Sequence, residues 1–149
     1  MPSATSSRTE TLADDLLGAV GRLTRWASRN ADLTVPTAAL RLLALLDELG
    51  PTRIGDLARA DNISQPTLTV QVDRLERAGL VARQSDPEDS RAVRVRLTPQ
   101  GSASLRDARS ARAAALTPIL EAAGPEQRAR LREAADALTR LLRDLPATL

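Results

Sequence analysis

From Thr11 onward, apolar residues return at three- and four-residue steps: Leu12, Leu16, Val20, Leu23 and Ala27. That spacing lines one face of a helix. Thr11 stands where a cap belongs, Asp14 and Asp15 suit the positive end of the helix dipole, and the pattern stops at Asn30-Ala31-Asp32. Thr34-Val35-Pro36 then reads as a cap followed by a first-turn proline. It opens a second helix through Leu40, Leu43 and Ala44, closed by Gly50-Pro51. A short third helix is expected over residues 54–60, with Ile54, Leu57 and Ala58 inward. Asp61-Asn62 breaks it, Asn being tolerant of the left-handed backbone of a tight turn. Ile63 plugs that turn. Ser64 caps a fourth helix with Pro66 in its first turn and Leu68, Val72 and Leu75 as its stripe. Gly79 is its expected left-handed terminus.

The period then changes to two. Residues 80–84 are short and strand-like, Asp86-Pro87-Glu88-Asp89-Ser90 is a turn signal, and Val93, Val95 and Leu97 alternate with Arg94 and Arg96. This predicts a two-stranded hairpin with one wet face. Thr98-Pro99 opens a fifth helix that runs to Ala123. Gly124-Pro125 separates it from a sixth, striped by Leu131, Ala134, Leu138, Leu141, Leu142 and Leu145 and ended by Pro146. The expected fold is mainly α: about six helices plus a two-stranded β-hairpin. Neither a βαβ unit nor a glycine-rich phosphate loop is present.

Composition narrows the chemistry. The chain has 149 residues, enough for one compact domain with helical extensions. It has no Phe or Tyr and a single Trp, Trp26, so Leu, Val, Ile and Ala must fill the core. Ala-rich faces bury little area, and burial between subunits would help stability. All 21 basic residues are arginine, yet the formal net charge is only +2. Arginine suits phosphates and guanine edges, but a GC-rich genome yields the same bias, so only the distribution of charge carries an argument. With no Cys and no His, a disulfide, a thiolate zinc site, a catalytic thiol and an imidazole base are all excluded. No paired carboxylates mark a cleft, so no enzyme, cofactor or metal is expected. No apolar run reaches membrane-span length and the polar start lacks a signal-peptide core, so a cytoplasmic protein is expected.

The stretch 54–75 reads as helix, tight turn, helix. Such a pair presents the start of its second helix outward. There Ser64, Gln65, Pro66, Thr67, Thr69 and Gln71 are exposed candidates for contact with base edges and phosphates. Gln can pair bidentately with adenine, and Thr offers a hydroxyl or a methyl. An ordinary capped surface helix carries the same residue types. The arginines of the next hairpin, Arg83, Arg91, Arg94 and Arg96, shift the reading towards DNA, because a basic ribbon beside such a helix can lie along the minor groove.

In three pieces the chain resembles the MarR family of bacterial transcription regulators. They are Ile63-Ser64-Gln65-Pro66-Thr67-Leu68-Thr69, the run from Val72-Asp73-Arg74-Leu75 through Gly79-Leu80-Val81, and the wing from Asp86-Pro87-Glu88-Asp89-Ser90-Arg91 into Thr98-Pro99-Gln100-Gly101. The resemblance implies a winged helix-turn-helix over 34–98 and a helical dimerisation region over 11–33 and 99–146; the polar start, residues 1–10, is expected to be a disordered tail. It implies a homodimeric regulator, a repressor in the first instance, on a pseudo-palindromic double-stranded operator. It implies Arg91 in the minor groove with Asp89 orienting its guanidinium, Arg74 near the DNA backbone, and Arg94 among the wing's DNA contacts; as a bare surface pair, Asp89–Arg91 would contribute under about 1 kcal/mol. Many members carry a basic residue where this chain has Val70 and an apolar one where it has Gln71, so base preference does not transfer. Members often release DNA on binding a small molecule. Arg22, Arg25 and Trp26 are the candidate lining residues, with Trp26 as plain core the competing reading. A winged-helix module that binds protein instead of DNA is the alternative.

Overall fold

The computed structural model describes residues 4–89 and 91–145. Six helices and three short strands follow in the order α1 (Ala4–Asn30), α2 (Thr37–Leu49), β1 (Thr52–Arg53), α3 (Ile54–Ala60), α4 (Gln65–Arg77), β2 (Val81–Ser85), β3 (Val93–Leu97), α5 (Pro99–Ala122) and α6 (Pro125–Arg143). The strands form one antiparallel sheet ordered β1-β3-β2. Val81 lies opposite Leu97 and Ser85 opposite Val93, which sets the hairpin register. The third strand, β1, adds Thr52 and Arg53 opposite Val95 and Arg94. Two residues carry no readable period, so the sequence pattern gave no sign of it.

The core sits where stripes from several elements meet. Leu40, Leu42, Leu43 and Leu46 of α2 pack with Leu57 and Ala58 of α3 and with Leu68, Val72 and Leu75 of α4. Leu80, Val81 and Val95 close the sheet side, and Leu105 and Ala108 of α5 close the other. Each fully buried leucine contributes about 2 kcal/mol, so aliphatic burial alone suffices without large aromatics.

Local signals explain most boundaries. Asn62 takes φ 53° and Gly79 φ 74°, the left-handed positions expected at the ends of α3 and α4, and Gly50 after α2 also has a positive φ, 71°. Ser64 caps α4 by accepting from the Thr67 N–H, and Thr98 caps α5 by accepting from the Gly101 N–H at 3.0 Å. Gly101 is a true close approach: a Cβ there would lie 2.0 Å from the Leu80 carbonyl oxygen.

Two expected starts are different. Helix α1 begins at Ala4, not Thr11, so Thr11 is interior and most of the expected tail is helical. The residues before Leu12 have no apolar period, so the sequence pattern gave no sign of a helix there. Helix α2 has Pro36 as its N-cap with no side-chain cap, so Thr34 does not cap it. Residues 1–3, Ser90 of the wing turn and Pro146 lie outside the described residues. No described helix is long and apolar enough to cross a membrane.

Candidate nucleic-acid interface

The turn between α3 and α4 is tied from several sides. The Ile63 N–H donates to the Ala58 carbonyl at 3.0 Å, and Arg41 of α2 pairs with Asp61 at 2.9 Å. These bonds fix the angle at which α4 leaves the lobe. At its start Ser64, Gln65, Pro66 and Thr67 are exposed, as the sequence pattern predicts. The Ser64 and Thr67 hydroxyls lie 2.7 Å apart, and the Thr69 hydroxyl donates to the Gln65 carbonyl at 2.9 Å. Thr69 and Gln71 are half-buried. Arg74 is exposed and has no ion-pair partner among the described residues.

The wing is organised by a residue that the sequence reading treated only as a turn signal. Asp86 is buried, 3% exposed, although it is a carboxylate in a hairpin loop. Its Oδ2 accepts from Arg53 Nε at 2.6 Å and from Arg94 Nε at 2.8 Å, and its Oδ1 accepts from the Glu88 N–H at 2.8 Å. The hydrogen bond from Arg53, then that from Arg94, holds the Asp86 carboxyl well below the usual carboxylate range, against the opposing cost of desolvation. The bond to Glu88 is an Asx turn, a signal legible in Asp-Pro-Glu. Arg53 is a different case. It reaches Asp86 only because β1 pairs with β3, and nothing local announces it.

These contacts redistribute the hairpin's charge. Arg83 pairs with Asp73 at 2.6 Å and with Glu76, tying β2 to α4. Arg94 is half-buried on Asp86 and within 3.5 Å of Glu88, so it braces the wing and is not a free contact. Arg91 and Arg96 are the hairpin arginines left exposed without an ion-pair partner among the described residues. Asp89 acts on Arg91 through the backbone: its Oδ1 accepts the Arg91 N–H at 3.0 Å, and its carbonyl accepts the Ala92 N–H at 2.8 Å. The expected guanidinium contact is replaced by a turn that projects Arg91.

The other candidate residues are elsewhere. Arg22 and Arg25 are exposed on α1, their guanidiniums lying back towards Gly18 and Gly21, and Trp26 is half-buried. They do not line the apolar cleft of about 390 Å³ between the start of α2 and the end of α4, whose walls include Val35, Ala39, Gln71, Arg74, Leu75 and Leu80. Among the described residues, no cluster of His, Cys, Asp and Glu is placed to hold a metal.

A protein of Mycobacterium leprae described as an uncharacterized HTH-type transcriptional regulator is 33% identical over 136 residues, 91% of this chain and 95% of that one. A model of the MarR family matches residues 36–93, the span holding the helix pair and the wing. This chain belongs to the MarR family. Known structures agree with that membership. One from Pseudomonas aeruginosa superposes with a TM-score of 0.73 at 30% identity, covering 93% of this chain and 99% of that one. A MepR mutant of S. aureus, solved bound to an oligodeoxyribonucleotide, shares the fold at a TM-score of 0.63 and 17% identity, covering 88% of this chain and 97% of that one. Family and fold are those of helix-turn-helix DNA-binding transcription regulators, not of an enzyme.

Proposed function

We propose that this MarR-family protein is a homodimeric repressor that occupies a pseudo-palindromic operator. The observation that carries the reading is the combination of an exposed polar start of α4 with an exposed Arg91, which has no ion-pair partner among the described residues, on a wing braced by Asp86. Gln65, Pro66, Thr67 and Thr69, flanked by Ser64 and Gln71, form the side of α4 that enters the major groove. Arg74 neutralises phosphate and Arg91 enters the minor groove. Asp89 and Arg94 hold the wing rather than read DNA.

Two copies are needed for a two-fold site, with half-sites about one helical turn apart. The supporting feature is the apolar surface left open on α1 and α6, including Leu12, Leu17, Leu23, Leu141 and Leu142. Residues 11–33 and 99–146 then serve as the dimerisation region and 34–98 as the DNA-binding lobe. A small-molecule ligand releases the complex. The cleft between α2 and α4 supports this, because Gln71 and Arg74 line it and an occupant bears directly on the DNA-contacting helix. It is a better candidate than Arg22, Arg25 and Trp26, which lie together on α1 without a described cleft.

Gel-shift titration against duplexes selected from a randomised pool tests the reading. The wild type gives a shift saturating at two chains per duplex, with affinity falling steeply as salt rises. Arg91→Ala binds about tenfold more weakly and lowers the salt slope by about one per chain, with the dimer intact. No selected duplex, or an unchanged affinity for Arg91→Ala, rejects it.

A further inference from the structure

The buried residues of α4, Leu68, Val72 and Leu75, define its inward side. At 100° per residue, Val70 falls on the opposite side, two positions from both Leu68 and Val72. Val70 is 49% exposed, an aliphatic side chain near the middle of the outward face. One turn before it is Pro66, and one turn after it is Arg74, which has no ion-pair partner among the described residues. The polar groups that could compete for its surroundings are already engaged. The Thr67 hydroxyl is shared with Ser64, and the Thr69 hydroxyl donates to the Gln65 carbonyl. Asp73, on the same side, pairs with Arg83. What α4 offers beyond its first turn is a patch of hydrocarbon bordered by a guanidinium.

In the major groove, the apolar group on a base edge is the C5-methyl of thymine; the other base edges present hydrogen-bonding atoms. A valine there gains nothing against guanine N7 or cytosine N4 and leaves them without a partner, whereas against a methyl group both surfaces leave water. Arg74, on the next turn of the same face, supplies the charge complement that brings phosphate alongside. We propose that Val70 reads the C5-methyl group of a thymine in each half-site, making it a specificity-determining residue. This rests on the DNA-binding reading above.

The test replaces thymidine with deoxyuridine, one position at a time, in both half-sites of a duplex selected from a randomised pool. Deoxyuridine removes the methyl group and keeps every hydrogen-bonding atom. At one half-site position the wild type loses about fourfold affinity per half-site, the effect of about one buried carbon. Val70→Ala, which is on the exposed side and melts like the wild type, loses the sensitivity at that position alone. Val70→Ile retains it. A wild type indifferent to deoxyuridine at every half-site position, or Val70→Ala with undiminished sensitivity, overturns the assignment while leaving specific DNA binding in place. Failure to select any duplex overturns both readings.

Discussion

The lobe from α2 to β3 and the outer helices α1 and α6 are built from the same few residue types and meet opposite fates. In the lobe, leucines from α2, α3 and α4 converge with the strands on one core, and Leu42, Leu43, Leu57 and Leu68 are fully buried. In α6 no residue is buried, and α1 leaves Leu17 74% exposed. The arginines divide in the same way. Within the lobe, Arg41, Arg53, Arg83 and Arg94 each reach a carboxylate of another element. On α6 the corresponding contact is Arg130 with Glu126, both exposed and on the same helix. The lobe is finished within one chain. The outer helices carry leucines at helical spacing that the described residues leave exposed, and exposed apolar surface of that kind is a candidate interaction face.

The comparison can be broken most severely at that outer face. Leu17→Glu combined with Leu142→Glu turns it polar, and the protein is expected to sediment as a monomer. Its operator affinity then drops by about a hundredfold, because binding of the second half-site is no longer tethered to the first. Helix content of the lobe remains. Analytical ultracentrifugation and gel shift read both effects, and a double variant that stays dimeric contradicts the assignment of the face.

Where α5 packs against the lobe, the largest expected loss is at Gly101. An added methyl meets the Leu80 carbonyl oxygen, which is backbone and cannot swing aside. Gly101→Ala is expected to cost about 3 kcal/mol in urea unfolding, in the upper range for overpacking. Gly124 is the control at the junction of α5 and α6, since nothing lies within 4 Å of its Cβ position. Gly124→Ala should change stability by less than about 0.5 kcal/mol. Equal losses at the two glycines would show that the close approach is not what matters at Gly101.

The wing gives a smaller effect with a defined pH signature. Asp86→Asn removes the charge that two arginines share, loosening the turn that projects Arg91, and about a tenfold weaker operator complex is expected. Because its partners lower the folded-state pKa of Asp86, the group stabilises the fold fully above the ordinary aspartate value of about 3.9. That contribution is lost as the pH falls further towards the depressed value. The stability gap between wild type and Asp86→Asn should therefore stay constant from about pH 8 to pH 5 and shrink below about pH 4. A gap that closes near neutrality would contradict the role of Asp86.

The smallest effect sharpens the picture by being nearly nil. Without His or Cys, no unperturbed side chain titrates near neutrality. Operator affinity at fixed salt should vary by less than about twofold between pH 6 and pH 8. A steep dependence would require a protonation that the geometry does not provide.

How much was legible follows from the range of each interaction. Ser64, Thr98, Asn62 and Gly79 act on backbone groups within a few residues, so their roles could be read directly from sequence and are seen in the structure. The exposed start of α4 was legible for the same reason. Asp86 was half legible: its Asx turn is local, but its two arginine partners are brought by separate strands. The basic hairpin was misleading as a simple charge count. Arg83 and Arg94 are engaged by acids that the sequence could not place beside them, which leaves Arg91 and Arg96 as the exposed cations.

The residue pattern alone determined the caps of α4 and α5, the left-handed turns at Asn62 and Gly79, and which chemistries are absent, because these depend on neighbours in sequence or on composition. Only tertiary structure decided that Arg53 and Arg94 share one buried carboxylate, that two residues after α2 complete the sheet, and that the stripes of α1 and α6 find too little to cover them. Those outcomes depend on which surfaces meet across tens of residues, and helical periodicity specifies a face without naming what it faces.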